Sequence, residues 1–397
     1  MRLIDELIRG YVTMLSAVNP QLASNSNIGL LATEMLNKTS ESLYHLPLPR
    51  SAKQKKNLSS LELLEKYTES RIRFKPPSKK CILQDHGVMK NALELFPFND
   101  MNEIDRENAE WLRNVLYLLP KNFRKQRCFD GLVGIEVIQA NSTLKKATLA
   151  PLSVKGIIQK LSTFCNWAVA HGYIETNVFS SLPTQPQRSE DERQPFTPED
   201  LNLIFNISDY VKHQYHHPYY YWLPLMMRYT GARMNEICQL RTSEVVITAD
   251  IPYLKIRELH ADQTLKTSYS FRFVPIHSEL IRLGFLDFVA TRQHERLFPE
   301  LKRYNGYYSH YASKWFKHRR DKIGFDKGKD GHSFRHNFVN ELKQNLVSRE
   351  VIECLVGHAH RSDSFNVYSK QYGVEVLKSF IEQIDTSNTS HLKPYFE

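Results

Sequence analysis

Four stretches in the second half of the chain carry side chains that could act together on a phosphodiester. They are Arg233 in "TGARMNEI", Lys266 in "QTLKTSYSFRFVPIH", His332 with Arg335 in "GHSFRHNF", and His358 with Tyr368 in "LVGHAHRSDSFNVYSK". Guanidinium forks match phosphate oxygens two at a time and stay charged. A phosphodiester under attack gathers negative charge on its non-bridging oxygens, and two arginines can stabilise that charge without a metal. A phenol is a usable nucleophile once its proton is drawn off. Imidazoles exchange protons near neutral pH, and a lysine can protonate a departing alkoxide. No carboxylate pair or metal-ligand cluster accompanies the set. These residue types fit phosphoryl transfer through a covalent phosphotyrosine. Each taken singly has a bland structural explanation; their joint occurrence gives the reading its weight.

The elements that would position them can be read from periodicity and punctuation. "YWLPLMMRYTGARMNEICQL" reads as two helical pieces joined at Gly231. "IPYLKIR" (251–257) and "YSFRFVPIH" (269–277) alternate apolar and polar residues and read as strands, with Lys266 between them. His332 and Arg335 are spaced to share one face of a helix start. Phe334, Phe338 and Leu342 form that helix's buried stripe, so the polar pair is expected to point elsewhere.

Upstream, the pattern from about 100 to 182 is helical. Ser153 is a candidate cap, Ile157, Leu161, Phe164 and Ala168 recur on one face, and Gly172 ends the run. "KNFRKQRC" and "TLKKATL" lie nearby and are basic. "PTQPQRSEDERQPFTPED" (183–200) reads as a linker, after which Thr197 starts a helix with Pro198 in its first turn. "PLPRSAKQKKNLSS" and "RFKPPSKK" read as loops, either basic arms or plain solvated surface. "HQYHHPYYYW" reads as a polar helix end before a packed aromatic run rather than a metal site, and "HAH" at 358–360 lacks a third ligand.

Composition bounds the function. A chain of 397 residues has room for more than one core, and 41% apolar with 24% charged residues fits a soluble globular protein. Fifty-three Lys and Arg against 43 Asp and Glu give a net charge of +10, which favours polyanion partners, nucleic acid first. The five cysteines form no Cys-x-x-Cys pair and read as reduced thiols, not a disulfide framework. No apolar stretch reaches the roughly 18–20 residues of a membrane span. The start, "MRLIDELIRGYVTML", is helix-like and acid-bearing, unlike a secretory leader.

"TGARMNEICQL", "HSFRHNF" and "LVGH…VYSK" resemble the ordered boxes of the tyrosine recombinase, or phage integrase, family, and "NWAVAHGYIETNVFSSLP" resembles the end of its core-binding domain. The likeness covers roughly residues 100–385. It implies a multidomain, mainly α fold with a small β-sheet: a helical, SAM-like core-binding domain followed by a mixed α/β catalytic domain. The expected division is an N-terminal region of unclear function at 1–90, the core-binding domain at 91–182, a linker at 183–198 and the catalytic domain at 199–397. The two domains would form a clamp on opposite faces of a duplex. The strand-rich arm-binding domain with which many integrases begin is not found, so a shortened version is expected.

Residue by residue, the resemblance makes Arg233 and Arg335 the clamp on the scissile phosphate. It makes His332 an aid to proton transfer from the tyrosine, and His358 a hydrogen-bond partner of a phosphate oxygen. Lys266 becomes the general acid and Tyr368 the nucleophile. Glu236 would orient its neighbours. The His358-to-Tyr368 spacing is about one residue longer than the family's common form, which makes Tyr372 a rival nucleophile; Lys255 is the rival acid. The implied function is site-specific DNA strand exchange that integrates or excises a mobile element, with no cofactor and no metal. The alternatives are a catalytically silent DNA-binding remnant and a type IB topoisomerase-like relaxing enzyme. The implied partners are double-stranded DNA, other copies of the chain in a homo-tetramer on paired sites, and an accessory DNA-bending or directionality factor. No membrane is implied; the expected place of action is the cytoplasm, at the nucleoid. Val374, Val376, Leu377, Phe380, Ile381 and Ile384 make an apolar stripe that is expected to join protomers as a coupling helix.

Overall fold

The computed structural model describes residues 58–74, 79–186, 194–248, 250–267, 270–325, 328–358 and 372–396. They fall into two units, divided after residue 187.

The first unit is helical: α1 (Ser60–Arg73), α2 (Lys79–Leu93), α3 (Arg106–Leu116), α4 (Ile135–Leu144) and α5 (Pro151–Ala170). Ser59 starts α1 through a capping box, its hydroxyl accepting from the Glu62 N–H while its own N–H donates to the Glu62 carboxylate at 2.8 Å. In α5 the expected face is buried: Ile157, Leu161, Phe164 and Ala168 are all inside. Ser153 is not the cap. The helix begins earlier, at Pro151, whose fixed φ suits a first helical position. Leu63, Leu64, Tyr67 and Met89 join α5 in one core, so residues 58–93 are part of this unit rather than a separate region ending at 90. Its exit is pinned: Arg106 donates to the carbonyls of Val178 and Ser180, Arg113 donates to Pro183 O, and the Gln185 N–H donates to the Tyr117 hydroxyl at 2.8 Å.

The second unit opens with Phe196, whose backbone N–H and carbonyl both bond the Asn337 side chain, and with α6 (Pro198–Phe205), capped by Thr197 as expected. Then come α7 (Pro218–Thr230) and the short α8 (Met234–Cys238), joined through Gly231. A three-stranded antiparallel sheet follows in the order β1 (Val245–Val246), β2 (Tyr253–Ile256), β3 (Arg272–Pro275), with Leu254 opposite Val274 and Ile256 opposite Arg272. The two-residue β1 has too short a pattern to read from sequence. The remaining long helices are α9 (Ser309–Ile323), α10 (Gly331–Gln344), α11 (Arg349–Val356) and α12 (Val374–Ile381). The centre of the unit is α7 packed on α10, where Met226, Met227, Phe334, Phe338 and Leu342 are fully buried. The run at 213–222 is the packed aromatic surface expected, with Tyr221 and Trp222 wholly inside.

The apolar stripe of α12 turns inward. Leu377, Ile381 and Ile384 are buried against β3 and the core of their own unit, and the Lys378 ammonium donates to Ile276 O at 2.6 Å. The unit's own sheet thus covers part of the stripe that was expected to join protomers, while Val376 of the same stripe is exposed. The residues beyond are fastened too, by Tyr229 to Thr389 and by the Tyr221 hydroxyl donating to Lys393 O. Among the described residues, no helix is long and apolar enough to cross a membrane.

Candidate active site

The site is built around the turn between α7 and α8. Gly231 closes α7 with φ of +59°, and a Cβ there would lie 2.6 Å from the Phe338 ring, so only glycine fits. The turn sets Arg233 at the N-cap of α8. Its N–H donates to Glu236 Oε2 at 2.9 Å and its guanidinium to Glu236 Oε1 at 2.6 Å. From α10, Arg335 donates to Gly231 O at 2.9 Å and to Val356 O. Val356 is the last residue of α11, so one guanidinium joins the "TGAR" turn to the segment that leads to His358.

Gly357 ends α11 with φ of +67°. A Cβ there would meet the Ser270 backbone at 3.1 Å and the Arg272 guanidinium at 3.0 Å, so β3 and α11 come together only because this residue lacks one. His358 follows, exposed, its N–H donating to Glu353 O at 3.0 Å. Partial burial of its ring, then the Arg335 and Arg233 guanidiniums, hold its pKa down to about 4.

Arg335 and His332 do not share an environment. His332 stands half-exposed at the start of α10, with Nδ1 3.6 Å from Asp330 Oδ1. Arg335 is buried, which corrects the expectation that both point away from the packed side. Gly331 packs against Met234, which brings the His332 end of α10 beside the start of α8.

Arg272 has no place among the residues chosen from sequence, yet it is the hub. It is 1% exposed and donates to Glu236 Oε2 at 2.8 Å, to Leu355 O at 2.7 Å and to Ser270 O at 2.9 Å. The sequence signal was available: Arg272 alternates with Val274 on the inward face of β3, where a charge is out of place. Glu236 is the carboxylate shared by Arg233 and Arg272. Burial would raise its pKa, but the Arg272 and Arg233 charges override that and hold it at about 2. For Arg335, burial and then the like charges of Arg233 and Arg272 push its pKa down to about 9. Three guanidiniums thus crowd one carboxylate, leaving a surplus of positive charge that an anion would relieve.

Lys266 is exposed in the loop between β2 and β3. Its rival Lys255 lies on β2, with Nζ 5.9 Å from the centre of the Tyr253 ring. Tyr368 falls outside the described residues; Tyr372 is 39% exposed. Among the described residues, no group of three His, Cys, Asp or Glu side chains is placed to hold a metal ion.

In the first unit the two basic segments meet. The Lys121 N–H donates to Ala147 O at 3.0 Å, and Pro120 bridges Thr148. This sets Lys121, Lys125, Arg127, Lys145 and Lys146, all exposed, on adjoining loops.

Residues 194–373 match the model of the phage integrase family. The chain is 22% identical over 277 residues to a probable integrase/recombinase of Aquifex aeolicus (strain VF5), covering 63% of this chain and 86% of that one. In fold it is similar to the Tn1549 transposon integrase in complex with a circular intermediate DNA, with TM-score 0.55 and 15% identity over 83% of this chain and 100% of that one. It is also similar to a lambda integrase tetramer bound to a Holliday junction, with TM-score 0.52 and 16% identity over 80% of this chain and 81% of that one. The stretch that matches the phage integrase family model, residues 194–373, is the one in which the turn at Gly231, Arg233, Arg335 and His358 come together.

Proposed function

We propose that the chain is a site-specific DNA recombinase that cuts and rejoins strands through a 3′-phosphotyrosyl intermediate, integrating or excising a mobile element. The observation that carries this reading is the crowding of Arg233, Arg272 and Arg335 on Glu236, with His358 beside them. A scissile phosphate seated there would take the remaining donors of Arg233 and Arg335. Both would strengthen as charge develops on the non-bridging oxygens. His358, neutral at physiological pH, would donate one N–H to such an oxygen. The Tyr368 oxygen attacks phosphorus while His332 assists removal of the phenol proton. The P–O5′ bond breaks, and Lys266 gives its proton to the departing oxygen. A 5′-hydroxyl from the partner duplex then attacks the phosphotyrosine and releases the phenol. The bond energy is kept throughout, so the exchange needs no cofactor.

The exposed cations at 121–127 and 145–146 suit the phosphate backbone of duplex DNA. A clamp touching about 6–10 phosphates loses roughly 10³–10⁵ in affinity between 50 and 200 mM salt. The tetrameric state of the lambda relative on a junction supports a tetramer of this chain on paired sites, with a DNA-bending or directionality factor as a further partner. The test is trapping on nicked duplexes taken from the flanks of the chain's own gene. Wild type should form a covalent complex, and Tyr368→Phe should bind the same DNA without forming one. A phosphotyrosyl peptide containing Tyr372 instead would move the nucleophile. No covalent complex from wild type, with tight binding intact, would favour the silent DNA-binding reading.

A further inference from the structure

We infer that Gln239 is a positioning residue for proton delivery, fastening the loop that carries Lys266 to α8, the helix that Arg233 caps. The inference rests on the reading of Lys266 as the general acid. Gln239 follows α8 directly and is 3% exposed. Both ends of its amide are committed to one residue of the β2–β3 loop: Oε1 accepts from the Thr264 N–H at 3.0 Å, and Nε2 donates to Thr264 O at 3.2 Å. Asn235, on the same helix, donates to Gln239 Oε1 at 3.0 Å and so holds the amide in this orientation.

The neighbouring loop residues are pinned independently. Gln263 donates to Glu244 at 2.8 Å and to Gln239 O at 3.3 Å. Asp262 accepts from Arg241 at 2.9 Å and from the Tyr308 hydroxyl at 2.6 Å. Downstream, Arg272 holds Ser270 O. The Leu265 N–H donates to Glu258 at 2.9 Å, and Lys266 projects, exposed, from the next position. Of these pins, the Gln239 amide ties the residue two before Lys266 to α8, whose N-cap Arg233 would grip the phosphate. A flexible ammonium delivers a proton only when its reach to O5′ is fixed, and a misplacement of about 1 Å can cost on the order of 10²-fold in rate.

The test separates proton delivery from general damage by changing the leaving group. In a duplex whose scissile bridging oxygen is replaced by sulfur, the P–S bond breaks to a thiolate that needs no proton. Wild type, Gln239→Met and Lys266→Ala are assayed for covalent complex on oxygen and sulfur substrates, with thermal melts of each protein. Gln239→Met should be about 10²-fold slow on oxygen and near wild type on sulfur, as Lys266→Ala should be to a greater degree. If Gln239→Met is equally slow on both substrates while Lys266→Ala is restored by sulfur, the amide only supports the fold and the inference fails. If sulfur does not restore Lys266→Ala, the general-acid reading fails first and takes this one with it. Should Gln239→Met not fold, Thr264→Pro removes the same N–H from the loop side and is judged by the same two outcomes.

Discussion

The two units bury different things. Among the described residues of the first, the buried polar side chains are the neutral Ser60, Thr68, Asn108 and Asn141. The second buries Arg228, Glu236, Glu244, Arg272, Glu279, Arg296 and Arg335, among other charged groups. A buried charge costs several kcal/mol unless it is paired and hydrogen-bonded. Most of these are matched: Arg228 meets Glu341 at 2.7 Å and Asp385 O, and Arg296 donates to Leu301 O and Cys238 O above the Tyr308 ring. Around Glu236 the matching is incomplete, with guanidiniums in excess. The first unit carries its positive charge on exposed loops, where water and salt screen it; the second concentrates it inside, where screening is weaker.

The comparison can be broken first at Glu236. Glu236→Gln leaves Arg272 buried without its carboxylate and should cost about 3–5 kcal/mol of stability in urea unfolding. A loss within about 1 kcal/mol would mean the guanidinium cluster needs no internal counter-charge. Next comes Arg335→Lys, which keeps the charge and loses the fork. Covalent-complex formation should fall by about 10²–10³-fold, and near-normal cleavage would remove Arg335 from the phosphate clamp. In the first unit, alanine at Lys145 and Lys146 should leave stability within about 0.5 kcal/mol. The slope of log affinity against log salt should become shallower by about 0.9 for each phosphate that is no longer neutralised. An unchanged slope would place the duplex on another face.

A last effect concerns His358. Its folded pKa of about 4 lies below its ordinary value of 6.5, so folding favours the neutral ring. That contribution is complete above pH 6.5 and is lost as pH falls through about 4. His358→Gln should therefore lose less stability than wild type between about pH 7 and pH 4. Equal acid losses would show that neither burial nor the two arginines holds this ring's pKa down.

Much of the architecture was legible from local chemistry. Thr197 with Pro198 announced α6, and the face of Ile157, Leu161, Phe164 and Ala168 marked α5. Gly231 marked the break between α7 and α8. Such signals are written in neighbouring residues, because capping, helical faces and glycine turns are decided within a few positions. Other features depended on distant partners. The α12 stripe required burial, but helical spacing carries no information about which surface would provide it. Arg335 shared a helix face with His332, yet spacing gives direction and not depth, and the carbonyls of Gly231 and Val356 drew only Arg335 inside.

Local pattern was enough to pick out an ordered set of candidate residues and most of the described helices and strands around them, since each box is complete within a few neighbours. Which charges meet was settled by the three-dimensional fold. Glu236, Arg272 and the end of α11 are joined across separations of 36 and 83 residues. Whether a buried arginine is tolerated, and where its surplus charge points, depends on what the fold sets against it. Coulomb energy depends on distance in space, which no spacing along the chain records.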